Sequence, residues 1–127
     1  MAGTLVANTI NTDTGLFSTN NAYSGIAKAW VNYNGSTNTV NNSFNVASVT
    51  RTATGKYYIT FTTAMANANY VVSGAISTTT GGSASTTWMT DDVNNPRTTT
   101  TLYLWTLSSS GTVFDNNPNI NIAIFGA

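Results

Sequence analysis

The chain of 127 residues contains no cysteine, no histidine and no glutamate. Without cysteine it can form neither a disulfide nor a thiolate metal site. The absence of histidine and cysteine also removes the commonest general base and the thiolate nucleophile. We therefore predict that the protein is not an enzyme and that it holds neither a cofactor nor a metal ion.

Charged residues are also scarce. They make up only 6% of the chain, against a usual share of roughly 25%. Four basic and four acidic side chains give a formal net charge of zero. With no basic stripe for phosphates and no polybasic patch for anionic lipids, we predict no nucleic-acid binding and no membrane insertion. A neutral surface gives little colloidal repulsion, which favours a protein packed into an assembly.

Long apolar runs and an export signal are missing as well. The opening sequence, MAGTLVANTI, has no basic region followed by an apolar run, so we predict no signal peptide and synthesis in a cytoplasm. No apolar run reaches the roughly 18 residues of a membrane-spanning helix. Hydrophobic residues nevertheless reach 41%, which is enough for the core of one domain.

The polar residues that are present are mostly Thr, Asn and Ser, which suit strands and turns. The clearest unit is residues 23–49, where a β-branched and aromatic run at 26–33 precedes Asn34-Gly35. This dipeptide predicts a hairpin whose two turn residues have positive φ. A second run, at 44–49, reads as one further strand.

More strands follow at short, regular spacing. The run at 44–50 and the alternating run at 57–63 predict a hairpin across the polar turn at 51–56. Residues 70–77 predict a strand in which Gly74 marks a bulge or a close backbone contact. Further strands are predicted at 86–90, 98–107 and 120–125. About seven or eight strands indicate an all-β fold, an antiparallel, jelly-roll-like β-sandwich over residues 23–127.

Residues 1–22 have too little apolar surface for a core of their own. We predict that they form a short N-terminal arm that attaches to a neighbouring subunit or a larger assembly. The apolar side chains available for attachment are Leu5, Val6, Ile10, Leu16 and Phe17.

One irregular region combines an aromatic ring with polar groups. Trp88 precedes a loop that contains Asp91, Asp92, Asn94 and Asn95. A Trp beside such groups suits a sugar, because the ring stacks on C–H faces while the polar groups bind hydroxyls. An equally weighted alternative places Trp88 in a subunit interface, where Trp is enriched. The two aspartates by themselves are typical of turn caps.

The run at 25–35, GIAKAWVNYNG, resembles a segment of tail-fibre and other virion proteins of marine bacteriophages, especially cyanophages. The likeness continues through SFNVASV at 43–49, GKYYITF at 55–61, ANY at 68–70 and the closing IAIFG at 122–126. Residues 78–118 are much less similar, as a variable recognition surface would be. The opening at 4–11 is similar to the start of small phage structural proteins.

This resemblance implies a virion component that is trimeric, as fibre heads commonly are, and that contacts other virion proteins. The leading hypothesis is a tail-fibre or receptor-binding domain whose loops at 78–97 and 108–118 bind surface polysaccharide of the host. A second hypothesis is a capsid decoration protein, which uses the same surfaces to bind virion subunits. A glycan-degrading tailspike is the third, and the scarcity of carboxylates argues against it.

Overall fold

The structure is a computed structural model that describes residues 9–12, 15–18, 25–77, 88–107 and 119–126. For residues 9–12, 15–18, 88 and 90 it describes the backbone alone. The described residues contain ten β-strands: β1 Thr9–Thr12, β2 Gly15–Ser18, β3 Ala29–Asn34, β4 Thr39–Phe44, β5 Val46–Ala53, β6 Lys56–Phe61, β7 Val71–Ser77, β8 Trp88–Asp91, β9 Thr101–Leu107 and β10 Asn119–Phe125.

Eight of these strands form two four-stranded antiparallel sheets. Sheet I has the strand order β4-β3-β10-β7, and sheet II has the order β5-β6-β9-β8. The chain crosses between the sheets after β4, β6, β7 and β9, a pattern of repeated crossings found in jelly-roll-like sandwiches. The predicted all-β sandwich is confirmed.

Alternation along the strands places the core between the two sheets. Strands β6, β9 and β10 bury every second residue, because successive side chains of a strand point to opposite faces. The buried apolar side chains are Ala29, Val31, Tyr33, Tyr57, Ile59, Phe61, Met65, Tyr70, Leu102, Leu104, Ile120, Ile122 and Ile124. Each sheet therefore has one face in the core and one outer face.

The hairpin predicted from runs 44–50 and 57–63 is confirmed as β5 and β6, which pair from Val46↔Phe61 to Ala53↔Lys56. The run at 44–49 was wrongly predicted to be one strand. Phe44 ends β4 in sheet I and Val46 begins β5 in sheet II. Asn45 between them has φ 55°, which breaks the extended backbone and sends the chain to the other sheet.

The hairpin predicted at Asn34-Gly35 exists, but its turn differs from the prediction. Strands β3 and β4 are joined by the four-residue loop 35–38, in which Asn38 has the positive φ of 56°. The side chain of Asn34 accepts hydrogen bonds from the backbone N–H groups of Ser36 and Thr37 at 2.9 and 3.1 Å. These bonds make an Asx-type turn, which the dipeptide rule does not distinguish from a two-residue turn.

Strands β1 and β2 belong to the predicted arm and, among the strands that the structure describes, pair with each other alone. Their register joins Ile10 to Phe17 and Asn11 to Leu16, in a two-stranded sheet separate from sheets I and II. Leu5 and Val6 lie outside the described residues. Attachment of the arm to another subunit stays a prediction.

Candidate functional site

The predicted loop site centres on Asp92, which caps a turn and is 8% exposed. Its carboxylate accepts hydrogen bonds from the backbone N–H of Asn94 at 2.9 Å and from the side-chain amide of Asn95 at 2.7 Å. The Asn95 hydrogen bond is the main reason why the pKa of Asp92 lies below its usual value, and the Asn94 N–H and the charge of Lys56 lower it further. The carboxylate is thus committed to holding the turn.

Asp91 has a different partner. It forms an ion pair with Arg97, whose guanidinium also donates a 2.5 Å hydrogen bond to the backbone carbonyl of Tyr70. The same guanidinium lies 5.4 Å from the centre of the Tyr70 ring, within cation–π range. Asp91 and Arg97 together hold the loop against the strand that begins at residue 71.

The two acidic residues of the predicted site have structural partners in the loop, and ligand binding at this site stays a prediction. Asp91 and Asp92 bind separate partners, while Asn94 and Asn95 are exposed on the turn. Trp88 lies in β8, where its backbone pairs with Leu107, and its side chain is outside what the structure describes. The choice between a sugar platform and an interface for Trp88 stays open.

The Tyr70 hydroxyl gives a pH-dependent test of this packing. It lies 3.0 Å from the carbonyl oxygens of Thr98 and Thr101, and burial raises its pKa from 10.0 to about 12, with Arg97 opposing and Asp91 adding to the shift. The unfolded chain then loses this proton at lower pH than the folded chain. We expect Tyr70 to stabilise the fold fully below pH 10 and to lose that contribution as the pH rises towards 12.

The measurement is the urea midpoint of the native chain and of Tyr70→Phe at several pH values across this interval. Phe keeps the ring and cannot ionise, so the midpoint of the native chain should fall more steeply than that of the variant. Parallel curves would show that the hydroxyl does not titrate with unfolding.

A second candidate surface lies on the outer face of sheet II. Tyr58 of β6 and Tyr103 of β9 are cross-strand partners whose ring centres are 4.5 Å apart. One row further along the sheet, Lys56 pairs with Trp105, and the Lys56 Nζ lies 3.9 Å from the centre of the indole ring. All four side chains are half-buried. We call these four residues the aromatic face.

The aromatic face and the loop are neighbours. The positive charge of Lys56 is close enough to Asp92 to lower its pKa, and β8, which leads into the loop, pairs with β9 beside Trp105. Rows on one face of a strand are about 7 Å apart. The three aromatic rings and the ammonium group thus lie on the same sheet as the strand that leads into this turn, whose amides are exposed. Rings and amides are groups suited to stacking and hydrogen bonding.

Sequence reasoning missed the aromatic face, although a signal was present. Every second residue of KYYITF and of TLYLW is apolar and predicted to face the core. Tyr58, Tyr103 and Trp105 alternate with these residues and share the opposite face with Thr60 and Thr101. Large aromatic residues on the outward side of two strands form one aromatic surface only if the two strands are neighbours in the sheet. The alternation of apolar and polar residues along each strand does not show that β6 and β9 are neighbours.

The comparisons with known proteins add no relative. No protein-family model, no curated protein and no solved structure matches this chain. In the described parts of the chain, no cluster of acidic side chains is suited to hold a metal ion. Within the same residues, no helix has the length and apolar character needed to cross a membrane.

Proposed function

We propose that this chain is a non-enzymatic structural protein of a bacteriophage virion that binds host surface glycans through the aromatic face. The observation that carries the glycan assignment is the set of half-buried rings of Tyr58, Tyr103 and Trp105 on one outer face of the sandwich. Sugars present apolar C–H faces and hydroxyls, which rings and neighbouring amides bind together. The virion assignment rests on the resemblance to phage fibre proteins of residues 25–35, 43–49, 55–61, 68–70 and 122–126.

The neutral composition supports the same proposal. A formal net charge of zero leaves hydrogen bonding and stacking as the main means of recognition. Lys56 supplies up to three donors above Trp105. Under this proposal the chain forms a homotrimer, the arm of residues 1–22 attaches it to other virion proteins, and the exposed amides of Asn94 and Asn95 contribute to one border of the glycan site.

Replacing Trp105 with Ala tests the aromatic face. Loss of one stacking ring costs roughly 1.5 kcal/mol, so affinity for surface polysaccharide extracted from the host strain should fall about tenfold. Trp105→Phe keeps a ring and should recover part of the affinity. Titration calorimetry of the purified protein with that polysaccharide gives the dissociation constants.

The matched control is Thr60→Ala, on the same outer face of β6 but without a ring. It should bind as the native chain does, and thermal unfolding should show that all variants stay folded. Native affinity in Trp105→Ala would remove the aromatic face from the proposal. Failure of the native chain to bind host polysaccharide or host cells would remove glycan recognition altogether.

A capsid decoration protein is the second candidate, favoured by the large exposed apolar side chains on the other sheet. Phe44 and Val71 are 54% and 63% exposed on the outer face of sheet I, a surface suited to protein contacts. Antibody labelling of purified particles of the phage that encodes the chain separates the candidates. Label at the tail tip supports receptor binding, and label over the capsid shell supports decoration.

A glycan-degrading tailspike is the least favoured candidate. Its carboxylates would be Asp91 and Asp92, which hold Arg97 and the turn at residues 92–95. Release of reducing ends from host polysaccharide by the native chain, lost in Asp91→Asn or Asp92→Asn, would contradict the non-enzymatic proposal.

A further inference from the structure

The outer face of sheet I differs from the aromatic face in composition. At one end, cross-strand pairing places Trp30 beside Phe44 and Ala123, while Phe125 pairs with Val71. A shallow open hollow of about 560 Å³ crosses β3, β10 and β7 and extends from this end to Asn32 and Asn121. The apolar end is the part of this face that would gain most from being covered.

The middle of the face is a row of amides. The Asn41 side-chain amide donates to the Asn32 oxygen at 2.6 Å, and the Asn32 amide donates to the Asn121 oxygen at 2.5 Å. These two hydrogen bonds cross β4, β3 and β10, and in both of them the donor lies on the side of β4. Within the described residues, the Asn41 oxygen at one end and the Asn121 amide at the other have no further partner. We call Asn41, Asn32 and Asn121 the amide ladder.

The polarity of the ladder suits a second copy of the same chain. One end accepts hydrogen bonds and the other end donates them, so in a closed ring the donor end of one copy can meet the acceptor end of the next. Amides buried at an interface fix register in this way, because a shifted pairing leaves them unsatisfied. A partner of different sequence would have to supply both ends independently.

The lack of charged side chains on this face also favours a second copy of the chain as the partner. None of the residues that the structure describes on the outer faces of β3, β4, β7 and β10 is charged. In a symmetric assembly a charge at such a face recurs in every copy and meets its like, which costs affinity. The uncharged strands of this face avoid that cost, and Lys28 lies just before β3, where its backbone N–H bonds to Ile124.

We propose that the outer face of sheet I is the surface through which copies of this chain associate. The apolar end formed by Trp30, Phe44, Val71 and Phe125 supplies the buried area, and the amide ladder sets the register. This inference rests on the proposed self-assembly of the chain and adds the surface and the residues that carry it. It leaves the aromatic face on sheet II free for ligand.

Asn121→Asp is the sharpest test, because the carboxylate still accepts the hydrogen bond from Asn32 within one copy. The variant loses the free donor end and places a charge on the face of every copy. We expect association to weaken roughly a hundredfold. Sedimentation equilibrium of the full chain gives the oligomer size and the association constant, and circular dichroism gives the fold.

Thr60→Asp is the matched control, since it places the same charge on the outer face of sheet II and should leave association unchanged. Ser73→Asp adds a charge to β7 on the proposed interface and serves if Asn121→Asp does not fold. Dissociation of either interface variant together with an intact control supports the proposal.

Two results would contradict the proposal that copies of the chain associate through sheet I. A native chain that is monomeric at the highest concentration reached contradicts both the interface and the proposed trimer. A native oligomer that persists in folded Asn121→Asp and Ser73→Asp contradicts the interface alone, and assigns assembly to another surface such as the arm. Glycan binding by the monomeric variants is a separate readout, because loss of this interface leaves the aromatic face in place.

Discussion

Gly74→Ala should destabilise the fold by roughly 1–3 kcal/mol or more, as an overpacked core position does. A Cβ at Gly74 would overlap both the terminal methyl of Met89 in sheet II and the backbone oxygen of Asn121 in the neighbouring strand β10. The Met89 side chain can move, but the Asn121 oxygen is fixed by the pairing of β7 with β10. The added methyl group must therefore push the two strands apart.

Denaturant unfolding of Gly74→Ala and of the control Gly25→Ala measures this effect. A Cβ at Gly25 would meet nothing within 4 Å, so the control should change the unfolding free energy by less than about 0.5 kcal/mol. Equal stability of the two variants would show that β7 and β10 can separate at no cost.

Gly74 also shows how far local sequence reasoning reaches. An isolated Gly inside an otherwise good strand predicts either a bulge or a close backbone contact. The register of β7 with β10 runs without interruption from Ser77 to Val71, so the close contact is confirmed and the bulge is wrong. The sequence signals that something approaches the backbone at this position, but the neighbour, Asn121, is 47 residues away and only the topology supplies it.

Most of the strands could be predicted because alternation is a local property. The runs predicted at 57–63 and 98–107 correspond to β6, which ends at Phe61, and β9, which begins at Thr101. Both strands alternate between the core and the outer face. The break at Asn45 was not predicted, because apolar residues continue on both sides of it. A single residue with positive φ moves the chain from one sheet to the other without leaving a gap in the apolar pattern.

The candidate site was harder to predict, for a physical reason. Asp91 and Asp92 are adjacent in sequence and are typical of turn caps, and only the neighbouring Trp88 suggested a ligand site. In the structure Asp92 caps a turn and Asp91 forms an ion pair. The aromatic face joins residues of β6 and β9 that are more than 40 positions apart. Loop composition is visible in a sequence, whereas a surface built from two strands depends on which strands are neighbours.

The two outer faces of the sandwich have different proposed roles, ligand binding on sheet II and self-association on sheet I. Sheet II carries rings, an ammonium group and a hydrogen-bonded turn, which suit a polar ligand with apolar faces. Sheet I carries an apolar end and a directional row of amides, which suit another copy of the chain. Because the core lies between them, a substitution on one outer face can test one role without removing the other.

The variant Asn45→Ala should be the other strongly destabilising change, by roughly 2–4 kcal/mol. Asn45 holds a left-handed backbone conformation with φ 55° at the crossing from sheet I to sheet II. Its amide donates to the carbonyl oxygens of Lys28 at 3.0 Å and Thr63 at 3.1 Å, and its oxygen accepts from the Thr63 N–H at 2.7 Å. Ala tolerates the conformation poorly and makes none of these bonds.

Comparison of Asn45→Ala with Asn45→Gly separates the two contributions. Gly adopts positive φ without strain, so it should recover the backbone part, roughly 1 kcal/mol, and still lack the three side-chain hydrogen bonds. The expected order of urea midpoints is native chain, Asn45→Gly, Asn45→Ala. Equal midpoints for the two variants would remove backbone strain from this account. A Gly variant as stable as the native chain would remove the hydrogen bonds, and the crossing would then depend on conformation alone.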